Sequence, residues 1–295
     1  MVTPVSLGAW PTPIERAPRL AAALGLRELW VKRDDLVGLG GGGNKVRKLE
    51  YTCAEALAAG AHTLVTTGAQ QSNHCRLTAA AAARLGLRCV LVLAGHQPAG
   101  LAGNLILDSL AGAEVVWAGD ESPTQVAQAE AARHDGAHLI PFGGTSAVSV
   151  QGYVDCAKEL VDQVPDFDRV VVAVGSGGTM AGLVRELGPE RVYGVDVGAV
   201  ADPHATVGAL LPSPPSSLTI DRSQIGRGYA AFTEPVRDAI KLAARTEGLF
   251  LDPTYTGRAL AGLIASGRGD GLTRTGRVVF MHTGGLPGLF GHPEL

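Results

Sequence analysis

The sequence predicts an α/β protein of parallel sheets covered by helices, arranged as two three-layer αβα units. Three observations carry that prediction. Short apolar runs alternate with helix-period segments over residues 49–157, and a second alternation of the same kind runs from 146 to 281. The 295 residues are enough for two domains or one large α/β unit. The smaller unit is placed at 49–157, and residues 1–48 with 158–295 make the larger one.

Residues 1–27 hold turn signals (Trp10-Pro11-Thr12-Pro13) and an amphipathic helix near Ala17 to Leu24. The strand pattern Leu29-Trp30-Val31 ends in charge at Lys32-Arg33-Asp34-Asp35, loosens into the glycine run 40–43, and becomes helical at Lys45 until Gly60 closes the pattern. The buried-strand run 63–67 follows, then a loop in which Ser72 is a good N-cap for a helix to about Leu85. Strands at 89–93, 114–117 and 138–141 alternate with helices at 103–111 and 123–132. A helix from Ser146 to Val164 leads to the apolar run 170–174, a glycine turn at 175–179, a helix through Leu187 and a strand at 191–196. Residues 201–228 are rich in Pro and Ser, and little regular structure is expected there. Helices at 234–247 and 256–266 and a strand at 278–281 complete the series.

The net charge of −3 comes without a basic stripe, so nucleic acid is not an expected partner. No apolar run reaches membrane-spanning length and the N-terminus lacks a basic-then-apolar pattern, so a soluble, cytoplasmic protein is expected. The four cysteines (Cys53, Cys75, Cys89, Cys156) lack CxxC spacing and read as reduced core thiols rather than a zinc site or disulfide framework. Cys75 follows His74, but adjacent helix residues point in different directions, which disfavours a nucleophile–base pair.

Four stretches carry chemistry. Lys45 follows the glycine run at a helix start, where the backbone dipole and desolvation both disfavour its charge; such a lysine becomes a free amine near neutral pH, the form that condenses with a carbonyl. A surface turn with solvated lysines is the plainer reading of the same residues. Gly175-Ser176-Gly177-Gly178-Thr179 exposes backbone N–H groups and two hydroxyls at a helix N-terminus; it lacks the P-loop lysine and fits GxGxxG poorly, so a small phosphate suits it better than a nucleotide, and a tight packing turn is the alternative. Gln71-Ser72-Asn73-His74 sits at the C-terminal end of a parallel strand, where α/β sheets bind ligands; Ser72 reads as a helix cap or a carboxylate contact. Tyr229, Tyr255 and the turn His282-Thr283-Gly284-Gly285 are polar groups in loops.

Taken in order, KRDD, GGNKVRKLEY, QSNHCR, GSGGT, LDPTYTG and HTGGLPGLF resemble the pyridoxal-phosphate enzymes of the D-cysteine desulfhydrase and 1-aminocyclopropane-1-carboxylate (ACC) deaminase group, over nearly the whole chain. The resemblance implies the tryptophan-synthase-β-like fold (fold type II), with the larger unit binding the cofactor. It implies that Lys45 joins the cofactor covalently, with Lys48 and Lys32 as rival amines. Asn73 would bond the cofactor's phenolic oxygen, Ser72 the substrate carboxylate with a part in proton transfer, and Ser72, Asn73 and His74 would contact the substrate. Residues Gly175, Ser176, Gly177, Gly178 and Thr179 would cradle the phosphate, and Tyr255 and Tyr229 would lie near the substrate. It also implies a homodimer.

In the deaminases the tyrosine of the DPxY motif is followed by glutamate and the last histidine by leucine; here the positions are Thr256 and Thr283, as in the desulfhydrases. A threonine can only hydrogen-bond a neutral ring nitrogen, which gives a weaker electron sink, suited to expelling a good β-leaving group. The expected activity is α,β-elimination, with D-cysteine converted to pyruvate, ammonia and hydrogen sulfide. Lys45 would move the Cα proton, and Tyr255 or Tyr229 would protonate the leaving group or hold the carboxylate. The alternatives are ACC deamination, L-cysteate desulfonation or action on another β-substituted alanine; in a different class stands a non-catalytic phospholigand-binding module. The segment after Asp196 is shorter than the resemblance leads one to expect, with Pro-Ser-Pro-Pro at 212–215.

Overall fold

The structure, a computed structural model, describes residues 3–213, 215–267 and 276–294, so Pro214 of the 212–215 run lies outside the described residues. The strands are β1 (Ile14–Arg16), β2 (Glu28–Arg33), β3 (Thr63–Gly68), β4 (Arg88–Leu93), β5 (Glu114–Trp117), β6 (Ala137–Leu139), β7 (Arg169–Val174), β8 (Val192–Asp196), β9 (Thr219–Asp221) and β10 (Arg277–His282). The helices are α1 (Pro18–Leu24), α2 (Lys45–Ala58), α3 (Asn73–Leu85), α4 (Asn104–Leu110), α5 (Pro123–Arg133), α6 (Gln151–Gln163), α7 (Gly178–Leu187), α8 (Pro203–Gly208), α9 (Glu234–Glu247), α10 (Thr256–Ser266) and α11 (Leu286–Phe290).

They build the α/β architecture of two sheets. One is ordered β1-β2-β10-β7-β8-β9, parallel except for the antiparallel edge pair β1–β2; the other is β5-β4-β3-β6 and wholly parallel. Helices on both faces explain why the central strands read as continuous apolar runs. In β7, Val170 to Val174 are all buried. The expected boundaries at 48/49 and 157/158 fall within α2 and α6, which pack on each other. We propose that each sheet with its helices forms one unit and that these two helices join them.

Three departures from the expected elements have local causes. Helix α6 starts at Gln151 rather than Ser146, because Ser146 and Ser149 each donate a backbone N–H to the other's hydroxyl and hold a turn there. Within 201–228, Asp202 caps the short α8 through Ala205 N, and β9 adds an edge strand beside β8. The edge strands β1 and β9 are three residues each, too short to show a period.

A buried polar network joins the N-terminal segment to α2 and α6. The Arg47 guanidinium, 3 % exposed, donates to Asp34 Oδ2 at 3.0 Å and Oδ1 at 2.9 Å and to Glu159 at 2.8 and 2.9 Å, and stacks 4.0 Å from the Trp10 ring. Burial by itself would raise the Asp34 carboxyl, but the charge and hydrogen bonds of Arg47, with those of Tyr153 and Thr12, outweigh it and hold the carboxyl below its usual range. Breaking such a pair strands a buried charge, so Asp34→Asn should lower stability by about 3–5 kcal/mol in urea denaturation at pH 7. The depressed pKa makes this contribution fully present above the unfolded value of about 3.9 and lost as pH falls through the folded value. Below about pH 4 the wild type should therefore lose stability more steeply than Asp34→Asn.

Candidate active site

The C-terminal ends of β3, β7 and β10 and the start of α2 converge on one narrow cavity between the sheets, the place where open α/β sheets bind ligands. Lys45 and Asn44 line one side, Gly175, Ser176, Gly177 and Thr179 the opposite side, and Asn73, Tyr255, Thr283 and Gly284 the rest.

Lys45 is the first residue of α2. Its Nζ donates to the Gly143 carbonyl oxygen at 3.2 Å. Burial brings its pKa down to about 8, so the amine is neutral in a substantial fraction of molecules near physiological pH. One turn later, Lys48 donates to Thr145 Oγ1 at 2.9 Å and to the same carbonyl at 3.4 Å; burial and the neighbouring Lys45 charge push it well below the ordinary lysine value. Lys32 is elsewhere: its Nζ donates to Glu159 at 2.8 Å, Gln163 at 2.7 Å and the Thr12 carbonyl at 2.9 Å, inside the Arg47 network. Of the rival amines, only Lys48 is beside the cavity.

The turn after β7 has the geometry of an anion cradle. Gly177 caps α7 with a φ of 82°, and the first N–H groups of that helix have no intrahelical acceptor. Ser176 Oγ lies 2.6 Å from Thr145 Oγ1, and Thr179 Oγ1 accepts from Asn44 Nδ2 at 3.0 Å. A methyl group placed on Gly143 would clash with Ser176 Oγ at 2.4 Å and meet Lys45 Nζ at 3.7 Å, so hydroxyl and amine both lie against the Gly143 backbone, which leaves no room for a side chain. Gly178 lies behind this wall, where a Cβ would meet Lys48 Nζ at 2.9 Å. The donors of this turn fit a phosphate, and the neighbouring Lys45 amine fits a carbonyl group.

Asn73, the first residue of α3, lines the cavity, and its Oδ1 accepts from Asn104 Nδ2 at 3.2 Å. Ser72 is nearby, but its Oγ is occupied as the α3 cap, accepting from Cys75 N at 3.2 Å. Two expected contacts are corrected. His74 does not line the cavity: it is buried, its Nε2 bonds Thr66 Oγ1 at 2.8 Å, and burial with the nearby lysines depresses its pKa well below the usual value. Since Thr66 Oγ1 donates to the Ile140 carbonyl, His74 is assigned as the neutral Nε2–H tautomer, and it backs Gly144 instead of a substrate. Thr256 is likewise off the wall, because its hydroxyl donates to Asp252 Oδ1 at 2.7 Å and accepts from Asp252 N at 2.8 Å; Thr283 alone of the two threonines reaches the cavity. All four cysteines are buried and unpaired, and burial pushes the Cys75 thiol up to about 12.

Asn73 and Tyr255 also line a wider outer cavity of about 300 Å³, together with Gln70, Gln71, Tyr229 and His292. The Tyr229 and Tyr255 hydroxyls are hydrogen-bonded and their rings meet edge to face at 6.0 Å. Burial raises both phenols above their ordinary value. Sequence reasoning missed Gly143, Thr145 and Arg258. The pair Gly143-Gly144, just past β6, ends a strand as the 175–178 turn does, and that likeness was the available signal.

Because Gly143 has a φ of 65° and no room for a side chain, Gly143→Ala should displace Ser176 and weaken cofactor binding by about tenfold or more, read as Kd from titration of the apoenzyme. Unchanged affinity would separate Gly143 from the cradle.

Comparison with known proteins agrees with this geometry. The family model described as "Pyridoxal-phosphate dependent enzyme" matches residues 5–284. A D-cysteine desulfhydrase of Klebsiella pneumoniae subsp. pneumoniae is 42% identical, with 97% of this chain and 95% of that protein covered. One of Salmonella typhi is 39% identical with the same coverage. A crystal structure described as an ACC deaminase homologue superposes with a TM-score of 0.89 at 34% identity, covering 99% of this chain and 94% of that one. A pyridoxal 5'-phosphate-dependent aspartate racemase, 18% identical with a TM-score of 0.69, shares the fold. The chain belongs to the pyridoxal-phosphate dependent enzyme family.

Proposed function

We propose that the chain is a pyridoxal-phosphate lyase acting by α,β-elimination on D-cysteine, with water consumed and pyruvate, ammonia and hydrogen sulfide released. The observation that carries this reading is the Lys45 amine and the Ser176 hydroxyl lining one cavity beside Gly143, in a chain about 40% identical to D-cysteine desulfhydrases along nearly its whole length.

Ser176, Thr179 and the backbone N–H groups of the 175–179 turn would hold the phosphate, Asn73 the phenolic oxygen, Thr283 the ring nitrogen and Lys45 the aldehyde carbon. When bound, the cofactor withdraws electrons from the substrate's α-carbon and makes its proton acidic. Lys45 would take that proton at Nζ; its lowered pKa suits a base that must also release the proton. The α3 N-terminus, capped by Ser72 and beginning at the cavity residue Asn73, would meet the substrate carboxylate. The Tyr229–Tyr255 pair faces the outer cavity and donates a proton to the departing sulfur. Thr283 bears only a hydroxyl, and among the described residues no carboxylate lines the inner cavity, so these residues would hold the ring nitrogen in its neutral form, which would suit loss of a thiolate.

The 34%-identical ACC deaminase homologue favours a second reading, ring opening of ACC, which Thr256 and Thr283 weigh against. L-Cysteate is disfavoured because no lysine or arginine is among the described residues lining the outer cavity to meet its sulfonate. We read the protein as a cytoplasmic homodimer; the buried, unpaired thiols suit a reducing compartment, and light scattering would give twice 30.3 kDa for the dimer. Among the described residues no helix is long and apolar enough to cross a membrane.

Pyruvate release from a panel of D-cysteine, L-cysteine, D-serine, ACC and L-cysteate should be fastest with D-cysteine; a faster reaction with ACC would replace the reading. Lys45→Ala should be colourless and inactive, and a yellow, borohydride-reducible variant would overturn the assignment. Cofactor uptake by the apoenzyme needs the neutral amine, so its rate should rise with pH and level off above about 8.

A further inference from the structure

Arg258, three residues after Tyr255 on α10, is fully buried, yet its described hydrogen bonds all run to backbone carbonyls. Nη1 donates to Val197 O at 2.7 Å, and Nη2 donates to Gly228 O at 2.9 Å and Ala231 O at 2.7 Å. Nε has no partner among the described residues. Burying a cation without a paired carboxylate is costly, so this guanidinium is a poor choice for mere filling.

The carbonyls it holds point to its use. Gly228 and Ala231 bracket Tyr229 and Ala230, in a stretch with neither helix nor strand. Besides the turn bonds Gly228 N to Ile225 O and Ala231 N to Gly228 O, that stretch is held by His292 at the Ala230 carbonyl and by the hydroxyl bond of Tyr229 to Tyr255. Tyr255 itself begins α10, its carbonyl accepting from Ala259 N. Arg258 therefore fastens the loop carrying one tyrosine to the helix carrying the other. A planar fork suits this task, since one rigid group spans three acceptors.

We propose that Arg258 is a positioning residue for the elimination, holding Tyr229 against Tyr255 so that the two hydroxyls act as one proton relay at the leaving group. The proposal rests on the reading of the tyrosine pair given above. Proton transfer tolerates little misplacement: an error of about 1 Å costs about 100-fold. The guanidinium charge also favours the ionised form of Tyr229, opposing the effect of burial.

A double-mutant cycle between Arg258 and Tyr229 tests it, run on whichever panel substrate the wild type turns over, so that a wrong substrate assignment does not mask the result. Arg258→Met should lower kcat by roughly 10- to 100-fold, with KM and the cofactor Kd within about twofold. Arg258→Lys, which keeps the charge and loses the fork, should fall between, and it carries the cycle if the Met variant does not fold. In a Tyr229→Phe background either substitution should cost less than about twofold. Amide hydrogen exchange across 226–232 should quicken in the Arg258 variants while the α10 amides stay protected. Equal losses of kcat in both backgrounds, a parallel loss of cofactor affinity, or unchanged exchange in the loop would make Arg258 a general strut and overturn the proposal. Unchanged kcat in Tyr229→Phe would remove Tyr229 from the chemistry and the proposal with it, leaving the elimination itself standing.

Discussion

The buried pair of Asp34 and Arg47 sets the direction of the helix that carries the reactive amine. Arg47 lies two residues after Lys45, so on a helix of 3.6 residues per turn the two side chains leave on nearly opposite sides. With Arg47 held by Asp34, Glu159 and the Trp10 ring, α2 cannot rotate without stranding charge, and Lys45 must face the cavity. Desolvating both charges costs much of what their attraction returns, so the pair contributes orientation more than net stability. Lys32 is consumed by the same network, so of the two lysines nearest this turn in sequence only Lys45 lines the cavity.

The same helix brings Lys48 beside Lys45, and their electrostatics complement the expected ligand. Two buried amines near one carbonyl repel each other when both are charged, and burial lowers both pKa values. Lys48 continues through Thr145 to Ser176 at the cradle. With Lys45 on its wall, Lys48 just behind it, a helix N-terminus opposite and no carboxylate among the described lining residues, the site is short of negative charge. A phosphate dianion supplies it, which explains why groups so costly to bury are found together.

How much of this was legible follows from the range of each interaction. The central strands and most helices were readable because a parallel sheet covered on both faces writes itself as apolar runs such as 170–174. The short edges β1 and β9 were not, since three residues hold no period. That Lys45, Asn73, the 175–179 turn and Thr283 would meet at one cavity was suggested by their places beside glycines or at helix starts. His74 and Thr256 misled: each stands next to a cavity residue in sequence, but a helix turns the neighbour inward, to Thr66 in one case and Asp252 in the other. Gly143 carried only the faint signal of a strand ending in paired glycines, and Arg258 was silent because its partners are main-chain carbonyls dozens of residues away, which no local pattern encodes.

The outer cavity narrows the chemistry further than the cofactor does. Around it stand amides, hydroxyls and a histidine, with Asp252 already committed to three backbone N–H groups and the Thr256 hydroxyl. Such a wall can meet a neutral β-substituent with hydrogen bonds, and among the described residues no lysine or arginine lines it to compensate a second negative charge. A thiol is neutral when it arrives and needs help only as it leaves, when a proton must reach the sulfur. The polar groups best placed for that are the two phenols. Their use depends on a loop without regular structure being as rigid as a helix, and the guanidinium of Arg258 provides that rigidity.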